Sequence, residues 1–109
     1  MMEQVTLEMV KQAQERLKGV AQKTGLSFTN SVSKLADCQV YLKLENLQRT
    51  GSFKLRGAYN KVASLSQEER DKGVIAASAG NHAQGVALAA SVYGCQSTIC
   101  MPKLHRLRR

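Results

Sequence analysis

The sequence predicts an α/β fold on three observations. A short apolar run, VIAAS (74–78), leads through a small-residue turn into an alanine-rich helical segment that Gly94 stops. A second short run, STICM (97–101), follows, so the stretch reads as a βαβ unit. Upstream, apolar residues recur at helical spacing in two segments that flank an alternating one. VIAAS does not alternate, which suits a parallel strand covered on both faces.

The elements follow in order. After Thr6, placed as an N-cap, Val10, Ala13, Leu17 and Val20 recur at helical spacing, and Gly25 ends the segment. SFTN (27–30) reads as a short strand. CQVYLKLEN (38–46) alternates, with Val40, Leu42 and Leu44 on one face and Tyr41, Lys43 and Glu45 on the other, a half-buried strand. Ser52 is the expected N-cap of the next helix, where Leu55, Ala58, Tyr59 and Val62 follow the i, i+3, i+4, i+7 pattern. Ser66 and Glu69 match a capping box for a short helix that Gly73 breaks.

Composition bounds the possibilities. A chain of 109 residues makes at most one ordinary domain, and 43% hydrophobic with 22% charged residues reads as soluble and globular. No apolar run approaches the roughly 18 residues a membrane span requires. The start, MMEQVTLEMV, lacks a basic stretch followed by an apolar one, so no secretory signal is expected. Cys38, Cys95 and Cys100 form no paired set and suit reduced thiols in a cytoplasmic protein. The net charge of +8 raises nucleic-acid binding, yet four of the sixteen basic side chains fall in the last seven residues, KLHRLRR. The few aromatics are not interleaved with basic residues as a stacking platform needs. Neither a nucleic acid nor a membrane is the expected partner.

Two loops carry the chemistry. Lys54 lies between Phe53 and Leu55, just past a Thr-Gly-Ser turn. In the first turn of a helix the positive end of the dipole disfavours an ammonium, and partial burial acts in the same direction. Both free the amine lone pair that a Schiff-base lysine requires. The neighbouring helix positions, Gly57 and Ala58, leave room for a flat ring. A solvated lysine at a helix start is the alternative. The second loop, SAGNHAQG (78–85), follows a parallel strand and opens a helix, where ligands of open α/β sheets bind. Its spacing fits neither G-x-G-x-x-G nor a P-loop, which leaves a carboxylate or small phosphate as the anion. The same stretch also reads as a capped helix in which Gly85 allows close packing. His82 is a candidate general base or a structural hydrogen-bonding group. Nothing around it has metal-ligand spacing, so no metal is expected.

Together, K-x-E-N-x-Q-x-T-G-S-F-K-x-R-G-A (43–58) and S-A-G-N-H-A-Q-G-V-A (78–87) resemble the N-terminal part of the threonine dehydratases. These threonine/serine ammonia-lyases belong to the fold type II, tryptophan synthase β-like, pyridoxal-phosphate enzymes; serine racemases share both motifs. The likeness covers about residue 5 to Lys103. It implies part of a three-layer parallel-sheet fold, pyridoxal 5'-phosphate as cofactor, and deamination of threonine or serine to a 2-oxo acid and ammonia. By position, Lys54 matches the Schiff-base lysine, Phe53 the residue packed on the cofactor ring, and Asn81 the partner of its 3-hydroxyl. Ser78, Ala79, Gly80 and His82 match the loop that receives the substrate carboxylate. The resemblance further implies an amino-acid substrate and homo-oligomeric full-length relatives. Residues 1–103 then read as the N-terminal part of the catalytic domain, and 104–109 as a basic tail outside the family pattern. The family's glycine-rich phosphate loop has no match in this sequence, so the chain reads as a truncated member without expected turnover of its own. A non-catalytic fragment that associates with a complementary chain, or through its tail with nucleic acid, is the rival. With only two of the parallel strands, VIAAS and STICM cannot be covered on both faces.

Overall fold

A computed structural model describes residues 4–103. Thr6 caps α1 (Leu7–Arg16), its hydroxyl accepting the Met9 N–H at 3.2 Å. This helix stops earlier than the apolar spacing predicts. Gly19 takes a positive φ of 75°, which ends the helical path well before Gly25. Val20 is still buried beyond that break.

Residues 25–44 make an excursion. Strand β1 (Leu26–Phe28) pairs antiparallel with β2 (Tyr41–Lys43), Ser27 lying opposite Leu42. Between them runs α2 (Asn30–Ala36), which sequence spacing had not assigned, ending on Asp37 at φ 51°. The half-buried strand expected over 38–46 is corrected in part. Val40 and Leu44 are half-buried, but Leu42 is as exposed as Tyr41, because β2 has only β1 beside it and no packed layer above it among the described residues.

The core lies in the second half. Helix α3 (Lys54–Ser64) packs on α5 (Asn81–Tyr93), with the short α4 (Gln67–Asp71) between them in sequence. The capping box at α4 forms as expected: the Ser66 N–H donates to Glu69 Oε2 at 2.8 Å, and the Glu69 N–H to Ser66 Oγ at 3.2 Å. Strand β3 (Val74–Ala77) pairs parallel with β4 (Ser97–Cys100), Val74 opposite Ser97 and Ala77 opposite Cys100. That is the βαβ unit read from the sequence, with α5 as its crossover and Gly94 in the left-handed conformation at its end. Leu55, Val62, Val86 and Ala89 form the centre of the core, and Ala76 joins from the sheet. The other face of β3 is open: Ile75 is 74% exposed. Coverage on both faces is therefore not reached, as the two-strand argument anticipated.

Helices α3 and α5 run in the same direction. Lys54 meets Gly85 near their starts, and the rings of Tyr59 and Tyr93 lie 5.1 Å apart further along. Both N-termini thus face the end of the sheet where β3 leaves, which is where parallel strands present ligands.

Candidate active site

Lys54 is the first residue of α3. The expected cap shifts by one residue, to Phe53, whose side chain can accept nothing. The Ser52 hydroxyl still accepts the Lys54 N–H, at 3.4 Å. Partial burial of the lysine is not found: Lys54 is exposed, its Nζ lying 5.0 Å from the centre of the Phe53 ring. The aromatic face is itself open, Phe53 being 57% exposed. A cation so placed is attracted by the ring quadrupole.

The second loop arrives beside it. Ser78 prolongs the ladder, its N–H donating to the Cys100 carbonyl at 3.0 Å, and its hydroxyl accepts the Gly80 N–H at 3.3 Å. Ser78 and Ala79 are half-buried; Gly80, Asn81 and His82 are exposed. Gly80 occupies the cap position of α5 with no side chain to satisfy the first N–H groups. One turn on, Gly85 brings the loops together. A Cβ at this position would lie 3.1 Å from both the carbonyl carbon and oxygen of Lys54 and 3.3 Å from the Leu55 nitrogen. Only the missing side chain lets α5 press its backbone on the turn that carries the lysine.

A Cβ built on Gly57 or on Gly80 meets nothing within 4 Å. A primary amine, an exposed aromatic face and an unfilled helix start therefore suit an aldehyde-bearing aromatic cofactor with an acidic substituent. No phosphate-binding glycine-rich run occurs among the described residues.

Sequence reasoning missed what the other polar residues of the first motif do. Arg56 donates to Glu45 through both prongs of its guanidinium, Nε to Oε2 at 2.8 Å and Nη2 to Oε1 at 2.9 Å. Thr24 Oγ1 also donates to Glu45, at 2.9 Å. Gln48, buried, accepts the Gln22 N–H at 3.0 Å and donates to the Gln22 carbonyl at 2.8 Å. Lys43 Nζ donates to the Thr24 carbonyl. The density of long polar side chains either side of the turn was the available signal. Of these, Gln22, Lys43, Glu45 and Arg56, with Phe53 and one face of α1, line a groove of about 890 Å³ that does not include Lys54.

The hydrogen bonds from Arg56, then those from Thr24 and Gln48, hold the Glu45 carboxyl down at about 2 against an ordinary 4.5. A depressed carboxyl stabilises the fold fully above the unfolded value and loses that contribution as pH falls towards the folded one. Acid titration followed by circular dichroism is expected to show a loss of stability between pH 4.5 and about 2 that Glu45→Gln diminishes. The Arg56 side chain is 36% exposed, so we expect the low end of the roughly 1.5–3 kcal/mol that bonds to charged groups contribute.

The structure sets an exposed amine at one helix mouth beside a second helix start at the end of a parallel strand pair. Residues 17–106 match the pyridoxal-phosphate-dependent enzyme family, and the chain belongs to it. It is 59% identical over 99 residues to an L-threonine ammonia-lyase of Thermotoga maritima, covering 91% of this chain and 25% of that protein. It is 48% identical over 99 residues to a catabolic L-threonine dehydratase of Escherichia coli, covering 91% of this chain and 30% of that one. Among solved structures, a serine racemase of Dictyostelium discoideum superposes with a TM-score of 0.88 at 39% identity, over 94% of this chain and 34% of that one. The chain spans about a quarter to a third of the length of these relatives.

Proposed function

We propose that this chain contributes the lysine-bearing half of a site for deamination of a β-hydroxy amino acid, threonine or serine. The observation that carries the reading is the contact of Gly85 with the Lys54 backbone, which sets the amine beside the mouth of α5. Pyridoxal phosphate, when bound, supplies an electron sink for negative charge developing on the substrate α-carbon. In this reading Lys54 would hold the cofactor by its aldehyde and would take the α-proton of the substrate. Phe53 offers its face to the ring, and Asn81 its amide to the ring hydroxyl. The N–H groups at the start of α5, with Ser78, Ala79, Gly80 and His82 around them, orient the substrate carboxylate. The β-hydroxyl and the abstracted α-proton together account for the water lost, and hydrolysis would then yield a 2-oxo acid and ammonia. Ammonia-lyase and dehydratase relatives at 59% and 48% identity support elimination. The likeness to a serine racemase supports α-proton removal as a step of this reading.

The test is chemical trapping. The Lys54 amine adds to the aldehyde of pyridoxal phosphate with loss of water, and borohydride reduces the C=N bond to a stable secondary amine. Peptide mapping is expected to find the label on Lys54 above every other lysine, and Lys54→Ala to abolish the preference. Uniform labelling of all lysines would overturn the reading.

A further inference from the structure

We propose that the Glu45–Arg56 pair is a positioning device for Lys54, an inference that rests on the reading of Lys54 above. The turn that carries Lys54 has no side-chain cap, and the Ser52 hydroxyl reaches it only at 3.4 Å. Such a helix start frays unless something else holds it. Arg56 belongs to that same turn, its N–H donating to the Phe53 carbonyl at 3.0 Å. Its guanidinium is gripped at both prongs by Glu45, a geometry that fixes angle as well as distance.

Glu45 is in turn no loose end. Thr24 donates to it at 2.9 Å and Gln48 at 3.4 Å, while Gln48 is locked by its paired bonds to the Gln22 backbone. A continuous chain of bonds runs from residues 22–24 through Glu45 to the lysine-bearing turn. The other ion pairs of the described residues differ in kind. Lys18–Glu15 and Lys72–Glu68 join neighbours along one exposed helical stretch and fix nothing distant. The Glu45–Arg56 pair bridges two separate segments, with the Glu45 side chain only 19% exposed. Neither residue is assigned contact with cofactor or substrate; both act through the placement of Lys54.

The experiment uses the whole chain, pyridoxal 5'-phosphate as probe and borohydride trapping. The readouts are the share of label on Lys54, its dependence on pH, and circular dichroism at the labelling temperature. Glu45→Gln is expected to lower the preference for Lys54 roughly threefold to tenfold with helix content retained. Glu68→Gln, which removes an exposed pair, is expected to leave it unchanged. Arg56→Lys keeps the charge but not the two-pronged grip and is expected to lower the preference as well. It decides the matter where Glu45→Gln fails to fold. Wild-type preference in a folded Glu45→Gln or Arg56→Lys chain would overturn the positioning role alone. A wild-type chain without preference for Lys54 would overturn the reading of Lys54 and this inference together.

Discussion

Gly85→Ala is expected to destabilise the chain although alanine is the better helix former. In an unencumbered helix interior the change would gain about 1 kcal/mol. Here the new Cβ would meet the Lys54 carbonyl at 3.1 Å and the Leu55 nitrogen at 3.3 Å. Those atoms are backbone and cannot rotate away. Overpacking of that kind costs roughly 1–3 kcal/mol, so a net loss of up to about 2 kcal/mol is expected. Gly57→Ala is the control, since its Cβ enters open space on the same helix as Lys54. The midpoint of urea unfolding is expected to fall for Gly85→Ala and to rise for Gly57→Ala. A rise in both would show that the helices do not touch as described.

Leu55→Ala is expected to cost more, roughly 2–5 kcal/mol. Leu55 is wholly buried at 0% exposure, and its neighbours in the core include Ala58, Ala76 and Ala89. Side chains this short cannot reach into the vacated volume, so the cavity persists. For a core of this size such a loss approaches the whole stability of a small domain. Thermal unfolding followed by circular dichroism is expected to broaden or to lose its transition; an unchanged melting curve would refute the placement of Leu55.

The second half of the fold was legible because its signals were local. The VIAAS and STICM runs, the Ser66–Glu69 box and Gly94 each state their own structure within a few residues. The excursion before it was legible only in its two strands, not in the helix between them. Helix α2 exposes Leu35 and Val32 and buries none of its residues, so it leaves no apolar stripe for spacing to find. Within the site, Lys54 and the 78–82 loop stood out by their small or apolar neighbours. The role of Glu45 and Gln48 did not, because their partners Thr24 and Gln22 lie over twenty residues away in sequence. Exposure of Lys54 was also beyond reach, since flanking Phe53 and Leu55 suggest burial while helical geometry sends their side chains in different directions.

The excursion of residues 25–44 is tied shut at its base. Leu44 donates to the Gly25 carbonyl at 3.3 Å, Glu45 accepts from Thr24, and Gln48 holds Gln22. Those few bonds bear the entropy of closing a loop of about twenty residues, a cost that grows only slowly with loop length. The β1–α2–β2 segment can therefore open and reclose as a cooperative unit of its own, while the packed pair of helices stays folded beneath it. Glu45, which grips Arg56, sits at that base, so the bonds that close the excursion and the bonds that hold the lysine-bearing turn share one residue.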